Sequence, residues 1–304
     1  MQLPRMMKRN RFVVCCCMVF SSFVCKNIRF HRKNMRQNKH ISLVITTYNS
    51  PEFLEIVLRS AMRQYVMPRE IIIADDGSGQ PTRDVIARYQ AVSPVPIVHS
   101  WIPDEGFRVA MARNRAIVQA QGDYIVLIDG DIVMGRHFIE DHARLMHRGT
   151  FVAGSRARLN EAATARRKQT LNPSLHFFSR GLGRRFVMLR IPFLSKYIKG
   201  KTGLKNARSC HIAFYKDDFV RINGFEEQFV GWGYEDSDFV QRLYNAGLQR
   251  RNAKLMASAV HLYHHSRSEA QSEAENRARL DETVRSGRIK AHCGIEQAEK
   301  EDAK

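Results

Sequence analysis

The chain has 304 residues, of which 44% are hydrophobic, and it carries a formal net charge of +19. That length suits one large domain or two modest ones with a sizeable hydrophobic core. Residues 1–40 carry ten Lys and Arg and no acid, and residues 156–208 carry fourteen and one acid, so the remainder is mildly acidic. A nucleic-acid binder usually carries its positive charge on the folded surface. The distribution favours an acidic catalytic body with basic contact segments, for which an anionic membrane face is one candidate partner.

Residues 1–38 form a basic leader that we expect to lie outside the fold. Phe12–Cys25 is an apolar run of fourteen residues, shorter than the about 20 that a spanning helix needs, and no small-x-small cleavage site follows it. A short anchor, an uncleaved signal and untranslated leader before a start at Met35 stay open, and the last is favoured. The body then keeps only Cys210 and Cys293, too few for a disulfide framework, which indicates a reducing, cytosolic compartment.

The first half of the body alternates strands with helices. The pattern predicts strands at Ile41–Thr46, Glu70–Ala74, Pro96–Trp101 and Asp123–Ile128, and helices from Phe53, at Asp84–Val92 and at Phe107–Ala120. Continuous apolar strands in this rhythm are typical of β-α-β units. We therefore predict an α/β fold with a mainly parallel central sheet and helices on both faces, in which ligands bind at the carboxyl ends of the strands.

Polar motifs follow three of these strands. "TTYNS" at residues 46–50 and "ADDGS" at 74–78 each allow two interpretations, a turn or helix cap and a ligand site. Asp129 and Asp131 flank a glycine after the fourth strand. Two carboxylates at this spacing would repel each other when buried, but they can close on one hard divalent cation. We favour a metal site over a structural turn at this motif.

The helix that precedes the fourth strand carries arginines in "DEGFRVAMARNRAI", residues 104–117. These side chains could solvate an outer face, or one guanidinium could bind a phosphate in bidentate fashion. Arg113 and Asn114 are predicted to be the inward pair.

Residues 155–208 break the rhythm, because they are rich in arginine with interleaved aromatic residues. This basic aromatic insert is either a membrane-contacting segment or a solvated, flexible loop. After it we expect a strand at Ser209–Tyr215, helices at Asp217–Ile222 and Glu235–Ala246, a strand at Ala259–His264, a helix at Ser268–Ser286 and a disordered tail after Ile295.

Two further motifs lie in this second half. "GWGYEDSDF" at residues 231–239 places three carboxylates in four positions after a tryptophan flanked by glycines. "HLYHHS" places His261 and His264 three residues apart. A lone histidine is usually structural, but imidazole together with carboxylate suits Mn²⁺, which accepts both nitrogen and oxygen ligands.

The motifs also occur together and in order as "SLVITTYNS", "ADDGS", "DEGFRVAMARNRAI", "YIVLIDGD", "NGFEEQFVGWGYEDSDFVQRLYNAG" and "HLYHHS". This combination resembles the family 2 glycosyltransferases of the GT-A fold, and its second half resembles a galactosyltransferase-type C-terminal domain. The resemblance covers residues 40–267 apart from 155–208. A nucleotide-sugar pyrophosphorylase-like protein fits less well, because no Gly-rich phosphate loop with a basic residue follows the first strand.

The resemblance implies an inverting, metal-dependent transferase with a nucleotide-sugar donor, usually UDP-linked, and Mn²⁺ or Mg²⁺ as cofactor. It implies a nucleotide-sugar-binding half at 39–154, an acceptor half at 209–267, and a C-terminal helix and tail at 268–304. The expected partner is a glycan or lipid-linked glycan acceptor of the lipopolysaccharide or capsule type, not nucleic acid, at the inner face of the cytoplasmic membrane. The alternative is a basic module that binds nucleic acid or anionic membranes without transferase activity.

The residues and the resemblance together predict three groups of site residues. The donor-binding residues are Thr46, Tyr48, Asp75, Asp76, Arg113, Asn114, Asp129, Asp131 and Trp232, with Asp75 and Asp76 on uridine. The metal ligands are Asp131 and His264, with His261 as the weaker ligand. Asp236 matches the expected catalytic base, and the neighbouring Glu235 is an acceptor contact or an alternative base. Ser209-Cys210-His211 replaces the "GCN" of many bacterial relatives, which puts sugar contacts at His211 in doubt.

Overall fold

The structure is a computed structural model that describes residues 36–195, 197–198, 203–204, 209–265 and 270–296. The interpretations of the leader before Arg36 and of the tail after Glu296 fall outside these residues, as do parts of the insert. Arg36 and Gln37, assigned to the leader, form a short strand that pairs with Val66–Met67. The described fold therefore includes the last residues of the predicted leader.

Thirteen strands are present in the described residues. They are β1 Arg36–Gln37, β2 Ile41–Thr47, β3 Val66–Met67, β4 Glu70–Asp75, β5 Ile97–Trp101, β6 Tyr124–Asp129, β7 Ile132–Met134, β8 Thr150–Ala153, β9 Ala157–Leu159, β10 Leu182–Gly183, β11 His211–Tyr215, β12 Gln249–Asn252 and β13 Ala259–His261.

Helices connect most of these strands. The described α-helices are α1 Pro51–Ala61, α2 Gln80–Val92, α3 Val109–Val118, α4 Phe138–Leu145, α5 Glu161–Thr170, α6 Pro192–Ser195, α7 Lys216–Arg221, α8 Glu235–Asn245 and α9 Ala270–Ser286. A 3₁₀ turn covers Arg185–Met188. Among the described helices, none combines the length and the apolar character that crossing a bilayer requires.

Seven strands form the central sheet in the order β12-β8-β11-β6-β2-β4-β5. Only β11 runs antiparallel to its neighbours, β6 and β8, so the predicted α/β fold with a mainly parallel sheet is confirmed. Every residue of β2 and β4 is buried, which means that both faces of the sheet centre are covered. Because β11 lies between β8 and β6, the two predicted halves share this one sheet.

A second sheet has four strands in the order β10-β9-β13-β7. Its apolar side chains pack with Ile56 of α1 into a separate core cluster. Strand β9 belongs to the insert, and it pairs with β13 so that Arg158 lies opposite His261. The alternative that the insert is only a solvated loop is therefore wrong for the part that the structure describes, since β9, α5 and β10 are regular elements.

Some predicted bounds differ from the observed ones. Helix α2 begins at Gln80 and not at Asp84, because Pro81 is favourable in the first turn of a helix, where its missing N–H costs nothing. The predicted strand at Ala259–His264 ends at His261. His264 therefore lies in an irregular segment after the strand. Its side chain contacts Asp131 without being held to the alternation of a strand.

Candidate active site

Three parallel strands bring the first predicted motifs to one edge of the central sheet. Strand β2 lies between β4 and β6, in a register that places Thr46 opposite Asp129 and Thr47 opposite Asp75. Thr46 Oγ1 donates to Asp129 Oδ1 over 3.0 Å. The carboxyl ends of parallel strands point the same way, so Thr46 and Asp129, which are 83 positions apart in sequence, meet at this edge.

Asp131, His261 and His264 form a cluster of cation-ligand type. One ligand atom from each residue lies within 4.8 Å of the others. Asp131 Oδ2 is 2.9 Å from His264 Nε2 and 3.3 Å from His261 Nε2. The hydrogen bond to Asp131 raises the pKa of His264 to about 9, whereas burial lowers the pKa of His261.

The donor set of this cluster fits a borderline divalent cation such as Mn²⁺, which accepts carboxylate and imidazole together. Oδ1 of Asp131 is buried and meets no hydrogen-bond partner among the described residues. A buried carboxylate oxygen without a partner is costly. A cation held by Asp131, His261 and His264 would satisfy that oxygen.

Arg113 links the sheet edge to the beginning of α8. Its Nη2 donates to Asp129 Oδ1 over 3.1 Å, and its Nη1 donates to Glu235 Oε1 over 3.2 Å. The arginine side chain is only 4% exposed. The planar guanidinium presents its N–H donors in a rigid fork, which fixes the two carboxylates relative to each other. Arg113 therefore faces inward, as its place in the sequence predicts.

Glu235 and Asp236 occupy the first turn of α8. Burial and the neighbouring charge of Asp236 raise the pKa of Glu235 to about 7, although Arg113 opposes the shift. Asp236 is partly exposed and accepts from Ser237 Oγ over 3.3 Å. The two adjacent carboxyl groups thus have different hydrogen-bond partners, Arg113 for Glu235 and Ser237 for Asp236.

Asp75 and Asp76 at the end of β4 are both buried. Asp75 accepts from the backbone N–H of Ser78 over 2.9 Å, and its second oxygen lies 2.8 Å from His99 Nε2. Asp76 accepts from the backbone N–H of Arg108, and burial raises its pKa to about 6. Oδ1 of Asp76 is buried and has no hydrogen-bond partner among the described residues.

The loop that carries Trp232 depends on its glycines. Gly231 and Gly233 have φ angles of +76° and +107°, which residues other than glycine rarely adopt. The Gly231 N–H donates to Phe107 O over 3.2 Å, next to the residue that binds Asp76. Trp232 is 40% exposed on this loop. Its ring is therefore partly open to solvent.

Asn114 is held by hydrogen bonds inside the fold. Its side chain is 1% exposed, donates to Phe225 O and Glu227 Oε1, and accepts from the Phe225 N–H. Because these bonds engage both ends of the amide, Asn114 holds the segment at 225–227 in place. A structural role for Asn114 is therefore shown, whereas its predicted contact with the donor stays a prediction.

His211 lies in the core and not in the site. Its Nε2 is 2.9 Å from Nε2 of His142, and the Phe138 ring packs 4.7 Å away. Burial lowers the pKa of His211 to about 4. The imidazole takes the space beside Gly154, where any side-chain carbon would collide with the ring. The departure from the "GCN" pattern is therefore accommodated by packing.

Asp238 has a structural environment that the sequence did not reveal. It is fully buried, pairs with Arg242 Nε at 2.8 Å, and accepts from Thr283 Oγ1 at 2.7 Å. An acid in the first turn of a helix is favoured by the helix dipole, and the sequence shows no more than that at this position. Asp238 instead joins α8 to α9, and its carboxylate faces away from the site.

Tyr48 is also at the sheet edge, where its hydroxyl lies 3.2 Å from Asp104 Oδ2.

Sequence reasoning missed His99, which contacts Asp75, and Arg156, which contacts the Cys210 thiol. His99 lies inside a strand with no motif around it. Arg156 was visible only as one of many basic residues in the insert.

Comparison with known proteins agrees with this geometry. The family model described as glycosyl transferase family 2 matches residues 42–221. A second model, described as the N-terminal domain of galactosyltransferase, matches residues 193–265. The two matches together span the sheet edge, the basic insert and the helix α8.

Among curated relatives, chondroitin synthase of Escherichia coli is 23% identical over 241 residues, covering 70% of this chain and 33% of that protein. Validoxylamine A glucosyltransferase of Streptomyces hygroscopicus subsp. limoneus is 27% identical over 225 residues, covering 68% of this chain and 48% of that protein. The chain thus spans half or less of the length of these relatives.

Solved structures show the same fold. S. aureus TarS 1–349 in complex with UDP-GlcNAc superposes with a TM-score of 0.55 at 16% identity, covering 84% of this chain and 68% of that one. Mannosyltransferase PcManGT from Pyrobaculum calidifontis, in complex with GDP-Man and Mn²⁺, gives a TM-score of 0.51 at 14% identity, covering 90% and 72%. Both likenesses establish a GT-A type of fold for this chain.

Proposed function

This chain belongs to glycosyl transferase family 2, and we propose that it transfers a hexose or N-acetylhexosamine from a UDP-sugar to a glycan hydroxyl with inversion. The observation that carries the proposal is the ion pairing of Arg113, which joins Asp129 of the donor motif to Glu235 of the carboxylate pair. Asp131, two residues after Asp129, belongs to the cluster with His261 and His264. Donor motif, cation ligands and a carboxylate pair are the parts that this reaction requires.

The donor nucleotide would bind at the ends of β2 and β4. Asp76 offers an unpartnered oxygen there, and Thr47 Oγ1 is likewise buried without a partner among the described residues. Carboxylate and hydroxyl oxygens of this kind accept from base N–H and ribose hydroxyl groups. The neighbouring TarS structure binds UDP-GlcNAc, which supports a UDP-linked donor.

Asp131, His264 and His261 would hold the divalent cation, Mn²⁺ or Mg²⁺. A cation bound there supplies Lewis-acid neutralisation of the diphosphate that leaves. Two imidazole ligands favour Mn²⁺ over Mg²⁺ in this site. Asp129 does not need to bind the cation directly, because Thr46 and Arg113 already donate to Oδ1 of this residue.

Asp236 would act as the general base. In a single in-line displacement the acceptor oxygen attacks the anomeric carbon, the bond from that carbon to the diphosphate oxygen breaks, and Asp236 takes the hydroxyl proton. Arg113 keeps Glu235 in place beside Asp236. Trp232 would pack against the sugar at the junction of donor and acceptor.

The acceptor would be a surface glycan such as lipopolysaccharide or capsule. Chondroitin synthase, among the relatives, is named for a polysaccharide product, which supports a polymer acceptor. Validoxylamine A glucosyltransferase is named for a small acceptor, so acceptor size is a necessary part of the test. A lipid-linked glycan would place the enzyme at the inner face of the cytoplasmic membrane.

A donor screen tests this function. UDP release would be measured for the purified chain with a panel of UDP-sugars, with Mn²⁺, Mg²⁺ or EDTA, and with glycan or small acceptors. We expect metal-dependent release with one donor, increased by a glycan acceptor. Failure of every UDP-sugar and every other nucleotide sugar to react with either metal would contradict the proposal. Binding of RNA or DNA that falls with salt, with no transfer, would favour the basic module instead.

A further inference from the structure

The described part of the insert has an inward side and an outward side. Leu175, Val187 and Met188 pack on the core cluster below the four-stranded sheet. Phe178 and Phe186, in contrast, are 78% and 73% exposed. The insert is therefore anchored by one set of apolar side chains while it presents another set to the outside.

The exposed rings form a patch. Phe177 contacts both Phe178 and Phe186, with ring centroids 5.1 Å and 5.7 Å apart. The guanidinium of Arg185 lies 5.9 Å above the Phe177 ring. A contiguous exposed aromatic patch of this kind marks a surface for interaction more often than scattered apolar residues do.

The charge around the aromatic patch selects an anionic partner. Arg180, Arg184 and Arg185 are exposed beside the rings, and Glu161 is the only acid in residues 156–208. A second copy of the chain would bring like charges together, which disfavours self-association through this face. Aromatic rings with arginines among them suit the headgroup region of a bilayer, where rings enter the acyl boundary and guanidinium groups meet lipid phosphates.

The aromatic patch belongs to the same structural unit as the candidate metal ligands. Strand β9 pairs with β13 next to His261, and the backbone N–H of Tyr263 donates to Thr164 Oγ1 of α5 over 2.9 Å. A surface held by the insert would therefore keep a fixed relation to the cation cluster. This coupling matters for a lipid-linked acceptor, whose reacting hydroxyl stays near the membrane.

We propose that the insert docks the enzyme on an anionic lipid bilayer through Phe178, Phe186, Arg184 and Arg185. The proposal of docking depends only on the surface of the insert. The further proposal that docking presents a lipid-linked acceptor to the cation cluster rests on the function proposed above.

Two double variants of the full chain test the docking, Phe178→Ser/Phe186→Ser and Arg184→Glu/Arg185→Glu. Co-sedimentation would use vesicles of phosphatidylcholine with or without phosphatidylglycerol. We expect the unmodified chain to bind the anionic vesicles, and each variant to bind them about tenfold or more weakly, as the loss of two interfacial contacts implies. Thermal unfolding should stay unchanged, because all four side chains are exposed.

Matched controls lie on α9, outside the insert. Arg277→Glu/Arg285→Glu makes the same charge change at two exposed arginines, and Val284→Ser removes an apolar side chain that is 49% exposed. These controls should keep the affinity for anionic vesicles within about twofold, because surface charge acts mainly within a Debye length of the bilayer. The leader is identical in every variant, so its own membrane affinity cannot produce a difference between them.

Two outcomes would overturn the proposal. In the first, the insert variants bind anionic vesicles as tightly as the unmodified chain, which would assign the binding to another segment. In the second, the unmodified chain ignores vesicles but binds single-stranded RNA through these residues. UDP release without vesicles separates the two proposals, since the insert variants should retain it. Patch-dependent docking without any sugar transfer would remove the proposed function and leave the docking intact.

Discussion

Arg113 Nη1 lies 3.2 Å from Oε1 of Glu235, a residue 122 positions later in the chain. The same guanidinium holds Asp129 at 3.1 Å. Three elements that are far apart in sequence, namely α3, the end of β6 and the first turn of α8, are thus joined by one side chain. Because Asp236 follows Glu235 directly, the position of the expected base depends on this arginine.

Replacement of Arg113 by lysine should weaken donor binding and transfer. An ammonium keeps the positive charge, but its single nitrogen on a flexible chain cannot reproduce the fixed two-nitrogen geometry that holds Asp129 and Glu235. A lost charged hydrogen bond costs about 1.5–3 kcal/mol, so calorimetry should show roughly 10- to 100-fold weaker UDP-sugar binding. Arg88→Lys, at an exposed ion pair with Glu55, is the control. Equal donor affinities for both variants would contradict the role of Arg113.

Replacement of His264 or Asp131 by alanine should remove metal-dependent donor binding. Each change removes one predicted ligand from the cluster. Mutation of residues that only hydrogen-bond to metal ligands already lowers metal affinity by about 10- to 100-fold. We expect a larger loss of Mn²⁺ affinity, measured by Mn²⁺ paramagnetic resonance. His265→Ala is a neighbouring control, since that side chain is 84% exposed and outside the cluster. A similar loss in His265→Ala would point to a general disturbance of the segment.

The acids Asp236 and Asp238 should behave in opposite ways. Asp236→Asn is expected to lower the rate constant for transfer by about 10²- to 10⁴-fold, with unchanged UDP-sugar affinity and unchanged unfolding. Asp238→Ala should instead lower the free energy of unfolding by about 3–5 kcal/mol, because it leaves the buried Arg242 unpaired. Single-turnover kinetics and urea unfolding separate the two effects.

Asp217 provides the control for Asp238. It also lies in the first turn of a helix, but its side chain is 74% exposed and pairs with Arg148. Exposed pairs contribute about 0–1 kcal/mol, so Asp217→Ala should change the free energy of unfolding by no more than that.

A transfer rate for Asp236→Asn equal to that of the unmodified chain would exclude Asp236 as the base.

Glu235 should make stability depend on pH. Its pKa is raised from the ordinary 4.5 to about 7 in the folded chain by burial and by Asp236. The folded chain therefore binds more protons than the unfolded chain between these values, and stability falls as pH rises through that window. The melting temperature of the unmodified chain, measured relative to that of Glu235→Gln at the same pH, should fall steadily between about pH 5 and pH 7 and then level off. A constant difference across this range would show that Glu235 titrates normally.

The alternation of apolar strands with helices predicted β2, β4, β5, β6 and β11 of the central sheet, because burial on both faces leaves continuous apolar runs in the sequence. It missed the short strands β8 and β12 on one side of the sheet. Such local patterns also located the ends of β2, β4 and β6, where Thr46, Asp75 and Asp129 lie. The irregular insert was harder to predict. Its strand β9 is only three residues long, and it is stabilised by pairing with β13, which lies about 100 residues later.

The sequence by itself determined the fold class, the order of the motifs and the residue types of the candidate site, since these depend on local periodicity and on side-chain chemistry. Only the tertiary structure decided which of those side chains are bonded to distant segments of the chain. Asp238 has the same local character as Asp236, yet it is buried against Arg242 and Thr283. The buried amide of Asn114 is likewise bonded to Phe225, in a distant segment. The physical reason is that a buried polar group must be paired, and its partner is chosen by the packing of the whole chain.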